Sequence, residues 1–326
     1  MTHKATLAVR TGIETDTQHG AVVPPIYLSS NYTFADFGEP RQYDYARSGN
    51  PTRTNLADAL AALEGGAGAV VTGTGMGAVH LVTTALLKAG DLLIAPHDCY
   101  GGTWRLFEYL AAKGHYRVQF VDQGDEAALA EALAQQPALV WVETPSKPLL
   151  RVVDVAAIAA ASHEVGAKVV GDNPFLSPLL QQPLSLGADV VVHSTTKYIN
   201  GHSDVVGGVA IAKEQALAES LVWWANCLGL TSGAFDSYLT LRGLRTLAPR
   251  LRAHQENTDR ILAFLQQQPL VKKIYHPSLP SHPGHEIARR QQSGFGAMLS
   301  FELDCNETGL RAFLAALRLF SVAESL

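Results

Sequence analysis

The 326 residues are 47% hydrophobic and 17% charged, with a formal net charge of −5. That composition supplies a substantial core and excludes intrinsic disorder, and with no basic run it excludes the electrostatic footprint of a nucleic-acid or anionic-membrane binder. A small-molecule partner is expected. The length suits one large domain with a smaller companion better than one compact unit.

Residues 1–53 are rich in Gly, Pro, Ser, Thr and Tyr and show no sustained helical period, so they are expected to form an arm of short strands and turns that packs on something. The N-terminal residues Met1 to Arg10 lack an apolar signal region, and no apolar run is long enough to span a bilayer. Cys99, Cys227 and Cys305 are odd in number and far apart, which suits free thiols in a reducing compartment; a cytoplasmic location is expected.

Leu56, Leu60 and Leu63 recur at helical spacing and end at Gly65-Gly66, a helix with a glycine stop. The apolar run Ala67 to Thr72 then feeds a turn containing Gly73, Gly75 and Gly77, followed by a helical stretch from Ala78 to Lys88. Beyond it, strand-like runs (Asp91 to Pro96, Arg117 to Val121, Leu139 to Glu143, Lys168 to Gly171, Asp189 to His193) alternate with helical ones (Thr103 to Lys113, Glu126 to Leu133, Val155 to Glu164). Uninterrupted apolar strands in such alternation predict an α/β fold whose mostly parallel sheet is buried on both faces. Val206 to Ala212 adds a further strand. After residue 250 come a long helix (Arg252 to Gln268), a Pro- and His-rich loop (His276 to His285), the strand-like Ala297 to Leu303 and a helix from Thr308 to Leu317. The expected organisation is an arm over 1–53, a ligand-binding domain over 54–250 and the start of a smaller domain over 251–326.

In an open α/β sheet, ligands sit beyond the carboxyl ends of the strands. Polar residues follow the strands at Thr74-Gly75-Met76, at Pro96-His97-Asp98-Cys99-Tyr100, at Asp172 and at Ser194-Thr195-Thr196-Lys197. The glycine turn can offer backbone N–H groups to a phosphate, although it fits neither G-x-x-x-x-G-K-[ST] nor G-x-G-x-x-G, and a purely structural turn reads equally well. Ser194 and Thr196 place two hydroxyls for phosphate oxygens beside Lys197, an amine able to form an imine once burial lowers its pKa. Asp172 could keep the ring nitrogen of pyridoxal-5'-phosphate (PLP) protonated; alone, a helix N-cap explains it as well. Tyr100 could stack on a planar ring, or simply be core. Tyr45 and Arg47 lie two apart on an extended segment and could both reach one phosphate, Arg with a bidentate grip. His276, His282 and His285 lack the partners of a metal site, His97, Asp98 and Cys99 form no recognisable nucleophilic triad, and Trp223-Trp224 suits helix packing.

Taken together, Tyr45-Ala46-Arg47-Ser48-Gly49-Asn50-Pro51-Thr52, Thr74-Gly75-Met76, Tyr100-Gly101-Gly102, Asp172-Asn173 and Ser194-Thr195-Thr196-Lys197-Tyr198-Ile199-Asn200-Gly201-His202 resemble the PLP-dependent enzymes of Cys/Met metabolism over essentially the whole chain. The resemblance implies a fold-type I, aminotransferase-like sheet of seven strands, with Val206 to Ala212 antiparallel. It implies PLP carried on Lys197, Asp172 at the ring nitrogen, Tyr100 on the ring and in proton transfer, and Gly75, Met76, Ser194 and Thr196 on the phosphate. Tyr45 and Arg47 would complete a neighbouring subunit's site in a homotetramer built as a dimer of dimers. The implied reaction is γ-replacement, in which O-succinyl-L-homoserine and cysteine give cystathionine and succinate in methionine biosynthesis, with Arg105 and Arg41 on the succinyl carboxylate. Sister activities share the PLP residues: β- or γ-cleavage of cystathionine and sulfhydrylation of an acylated homoserine.

The sequence departs from the family pattern at Lys147, where Pro145-Ser146-Lys147-Pro148 replaces Pro-Ser-Asn-Pro, and at Pro174, which takes the place of a threonine. The family also continues beyond Ala323-Glu324-Ser325-Leu326 and there supplies an arginine for the substrate's α-carboxylate. The chain is therefore expected to be C-terminally truncated, with Ser325 at a substrate-contacting position, and a non-catalytic PLP-fold module is the rival from another class.

Overall fold

The computed structural model describes residues 3–323, so Ser325 lies outside the described residues. One sheet contains β1 (Gly68–Thr72), β2 (Leu92–Pro96), β3 (Arg117–Val121), β4 (Leu139–Glu143), β5 (Lys168–Asp172), β6 (Val190–Ser194) and β7 (Gly208–Ala212) in the order β1-β7-β6-β5-β4-β2-β3. Only β7 runs against its neighbours; the other pairs are parallel. A separate antiparallel pair joins β8 (Val271–Tyr275) to β9 (Ser300–Leu303). The helices are α1 (Lys4–Arg10), α2 (Pro51–Glu64), α3 (Gly75–Leu86), α4 (Gly101–Ala112), α5 (Glu126–Leu133), α6 (Val155–Glu164), α7 (Ser177–Leu180), α8 (Gln215–Leu228), α9 (Ala234–Leu244), α10 (Leu247–Leu265), α11 (His285–Gln291) and α12 (Glu307–Ala315).

Every residue of β2, β4 and β7 is buried, as strands covered on both faces require. Side chains alternate between two cores. Ile94, Val140, Val169, Val191 and Ile211 face Leu56, Leu60 and Leu63 of α2. Leu93, Trp141, Val170, Val190 and Val192 face Val79 and Val82 of α3 and Leu221 of α8. Each fully buried large side chain contributes roughly 1.5–3 kcal/mol of transfer free energy.

That period of two also aims the polar strand ends. Glu143, Asp172 and Ser194 share the parity of Trp141, Val170 and Val192, so all three emerge on the α3 side at the carboxyl edge of β4, β5 and β6. His193 points the other way, where its Nε2 lies 2.7 Å from Glu64 Oε1 at the end of α2, both side chains fully buried.

The arm differs from its expectation at one end. It contains α1, whose seven residues are too few to show a period; the His3 imidazole caps it by accepting the Ala5 N–H, and Ala8 is buried in the α2 core. The rest is turns and isolated bridges, such as Asn31 with Tyr45. Strand β7 starts at Gly208 instead of Val206, which is solvent-exposed, and β9 starts at Ser300 instead of Ala297. Trp223 and Trp224 sit on α8 edge to face at 5.1 Å, but only Trp224 packs on the core and Trp223 is exposed.

Candidate active site

The floor of the site is built where α3 begins. Thr74 caps that helix by accepting the Gly77 N–H at 2.8 Å, and the N–H groups of Gly75 and Met76 in the first turn have no intrahelical acceptor. Gly75 lies against Ser194: a Cβ added there would sit 3.0 Å from Ser194 Cβ. Gly208 is tighter still, since its Cβ would meet the Thr74 carbonyl oxygen at 2.3 Å. The turn after β1 and the end of β6 can approach only because these two positions are glycine.

After β6 the chain turns sharply. The Lys197 N–H donates to the Ser194 carbonyl at 3.3 Å, and the Gly201 N–H to the Lys197 carbonyl at 2.9 Å. Thr196 Oγ1 accepts the Gly207 N–H at 3.0 Å, which ties the turn to the start of β7. Lys197 itself is half-buried. Tyr100 stands at the N-terminus of α4 with about half its surface open. A Cβ at Gly102 would lie 3.2 Å from Met76 Sδ and would collide with the Tyr100 ring, so Met76 and Tyr100 meet over that glycine.

Asp172 closes β5 in register with Glu143 of β4 and is 8% exposed. Burial raises its carboxyl to about 7, against the opposing pull of the His193 imidazole and the Trp141 indole. Glu143 was not singled out by the sequence. It is buried, its Oε2 accepts the Tyr100 N–H at 2.8 Å, and burial together with the Asp172 charge holds its carboxyl well above the usual range. It thus joins two of the predicted residues.

Other predicted residues lie outside this cluster. Tyr45 and Arg47 are exposed; the Arg47 guanidinium rests 5.4 Å from the Tyr45 ring centroid and donates to the Asn226 carbonyl of α8 at 2.5 Å. Arg105 is exposed on α4 and Arg41 is exposed in the arm. Lys147 is exposed in a turn with two cis peptides, at Thr144-Pro145 and Lys147-Pro148, and the buried Ser146 hydroxyl there donates to Asp98 Oδ2 at 2.6 Å. Asn173 is buried, and its amide donates to the Ser177 and Gln181 carbonyls, which ties the end of β5 to α7.

His97 Nε2 lies 3.0 Å from Arg151 Nη1, and burial pushes the Cys99 thiol well above its ordinary range, so this stretch presents no reactive thiolate. His276, His282 and His285 each engage a different local group, respectively the Ser278 hydroxyl, the Gly284 N–H and the Pro277 carbonyl.

The residues present fit PLP. A phosphate needs close backbone donors and hydroxyls, which the Gly75–Ser194 contact provides, with no room for a side chain where the phosphate would lie. The buried Asp172 suits a protonated ring nitrogen, and Tyr100, with about half its surface open, offers an aromatic face for stacking.

The family model "Cys/Met metabolism PLP-dependent enzyme" matches residues 5–326. The chain is 65% identical to the cystathionine gamma-synthase of Escherichia coli (strain K12), over 100% of this chain and 85% of that protein. It is 43% identical to the cystathionine beta-lyase of Lactococcus lactis subsp. cremoris, over 100% of this chain and 85% of that protein. The crystal structure of cystathionine gamma synthase from Xanthomonas oryzae pv. oryzae, in complex with aminoacrylate and cysteine, superposes with a TM-score of 0.99 at 59% identity and covers 100% of this chain and 84% of that one. The chain belongs to the PLP-dependent enzymes of Cys/Met metabolism, within their cystathionine gamma-synthase branch and with PLP as its cofactor.

Proposed function

We propose that the chain catalyses γ-replacement, in which O-succinyl-L-homoserine and L-cysteine give cystathionine and succinate, a cytoplasmic step of methionine biosynthesis. The observation that carries this reading is its 65% identity, across the whole chain, with a synthase and not a lyase.

When bound, PLP supplies a conjugated electron sink for charge developing on the substrate's carbons. The chain's own residues do the rest. The N–H groups of Gly75 and Met76 and the hydroxyls of Ser194 and Thr196 hold the phosphate. Asp172 holds the proton on the ring nitrogen, and Tyr100 fixes the ring plane. Lys197 would anchor the cofactor, and its amine would move protons at the substrate's Cα and Cβ with help from Tyr100. Succinate then leaves Cγ and the cysteine sulfur bonds there. Arg105 and Arg41 bind the succinyl carboxylate by charge-assisted hydrogen bonds.

The assembly proposed is a homotetramer, a dimer of dimers in which Tyr45 and Arg47 grip the phosphate of a neighbouring subunit. The arm's open apolar surface supports it: Phe37 is fully exposed, and Leu28, Phe34 and Tyr27 are exposed beside it. Among the described residues no helix is long and apolar enough to cross a membrane.

Incubating the PLP-loaded protein with O-succinyl-L-homoserine and cysteine should yield cystathionine and succinate in equal amounts. Cleavage of added cystathionine, without synthesis from the ester, would replace this reading with that of a lyase.

A further inference from the structure

Arg250 sits in the first turn of α10, half-buried behind the segment that carries Lys197. Its acceptors are main-chain carbonyls and one hydroxyl. Nη1 donates to Tyr198 O at 2.8 Å, Nη2 donates to Gly243 O at 2.8 Å and Ile199 O at 3.3 Å, and Nε donates to Thr246 Oγ1 at 3.0 Å. A planar fork that binds consecutive carbonyls fixes the tilt of the peptide planes between them, which a flexible ammonium cannot do.

The surroundings are shaped around this grip. Gly201 adopts φ +66°, and a Cβ there would lie 1.9 Å from Arg250 Nη1, inside the guanidinium. Gly243 of α9 meets the Asn200 carbonyl, where a Cβ would come within 2.2 Å of the oxygen. One turn along α10, His254 packs edge to face on the Tyr198 ring at 5.5 Å. The segment from 198 to 201 is thus clamped between α9 and α10.

We propose that Arg250 is a positioning residue, whose guanidinium orients the 198–201 segment so that the Lys197 amine meets the carbonyl carbon of PLP. This rests on the reading above that Lys197 carries the cofactor. Displacing the segment by a fraction of an ångström moves the lysine off its line of attack, and misplacement of about 1 Å costs up to about a hundredfold in rate.

The test follows the rate at which PLP, added to PLP-free protein, becomes borohydride-trappable at Lys197, alongside equilibrium PLP affinity, kcat and KM. Four proteins are compared: wild type, Arg250→Lys, Gly201→Ala and Thr258→Val. Gly201→Ala evicts the guanidinium and also strains the segment itself at φ +66°, so it perturbs the segment by two routes where Arg250→Lys uses one. Thr258→Val loosens α10 at a buried hydroxyl bonded to the Ala297 carbonyl, away from the lysine segment.

Arg250→Lys and Gly201→Ala should each slow covalent attachment by about tenfold or more and lower kcat with little change in KM. Thr258→Val should lower Tm without either effect. Attachment in Arg250→Lys within about twofold of wild type, or slowed no more than in Thr258→Val at equal loss of Tm, would overturn the role of Arg250 alone. A wild-type protein that never acquires the adduct at Lys197 would overturn the cofactor reading with it.

Discussion

Asp172 and Glu143 stand side by side across β5 and β4, two buried carboxyls at the carboxyl edge of the sheet. In the folded protein burial pushes the Asp172 carboxyl up to about 7, whereas an unfolded aspartate ionises at about 4. The unfolded state therefore releases its proton first, and stability of the PLP-free protein should fall as pH rises from about 4 to about 7, with the raised Glu143 carboxyl adding to the fall. Asp172→Asn should make that slope shallower, leaving the part that belongs to Glu143; an unchanged slope in urea titrations would show that Asp172 ionises normally. Bound PLP, by offering a protonated nitrogen, should also flatten it. Asp172 was legible because it ends an apolar strand before a break. Glu143 was not, because its reason for being there, the Tyr100 N–H and the neighbouring carboxyl, comes from chain segments far apart in sequence. Gly75 offers a second test at this scale. Gly75→Val places atoms against Ser194 Cβ and Cα, so it should weaken PLP binding by about tenfold or more, as measured by equilibrium titration with PLP, and lower Tm as well; an unchanged affinity would show that the turn yields to the side chain.

At the scale of elements, α2 shows how the arm is pinned. Asn50 is buried, its Oδ1 accepts the N–H groups of Thr52 and Arg53 at 2.9 and 3.1 Å, and its amide donates back to the Tyr27 carbonyl at 2.8 Å. Asn50→Ala should cost about 1–2 kcal/mol by chemical denaturation for the lost cap, and more if the Tyr27 segment loosens; no loss would mean that water replaces the cap without penalty. The inner strands β2, β4, β5, β6 and β7 were readable because burial on both faces forces apolar runs; the edge strand β3, with Arg117 and Gln119, was readable from its β-branched and aromatic residues and its place in the alternation. Most helices were readable from their periodicity as well, but β8, α9 and α11 were not. Strand β8 carries Lys272 and Lys273 exposed at its centre, α9 contains the glycine that meets Asn200, and α11 is only seven residues long. In each of these, packing against a neighbour or solvent exposure outweighs the periodic pattern.

For the whole molecule, the mostly parallel character of the sheet follows from the alternation of strands and helices, but its strand order and the arm's role do not. Within the subunit Arg47 donates to the Asn226 carbonyl and packs over the Tyr45 ring, whose surface is about half open. Mixing and reannealing Arg47→Ala with Lys197→Ala, each inactive alone, should restore part of the activity through hybrids that hold one intact site. Failure to complement, with hybrid formation verified by native mass spectrometry, would place both residues in the same subunit's site or outside it.

The most direct test of the account is borohydride reduction of the PLP-loaded protein followed by mass analysis of its peptides. The account predicts a single pyridoxyl-phosphate adduct, on the peptide containing Lys197. An unmodified Lys197, or an adduct on another lysine such as Lys147, would contradict it.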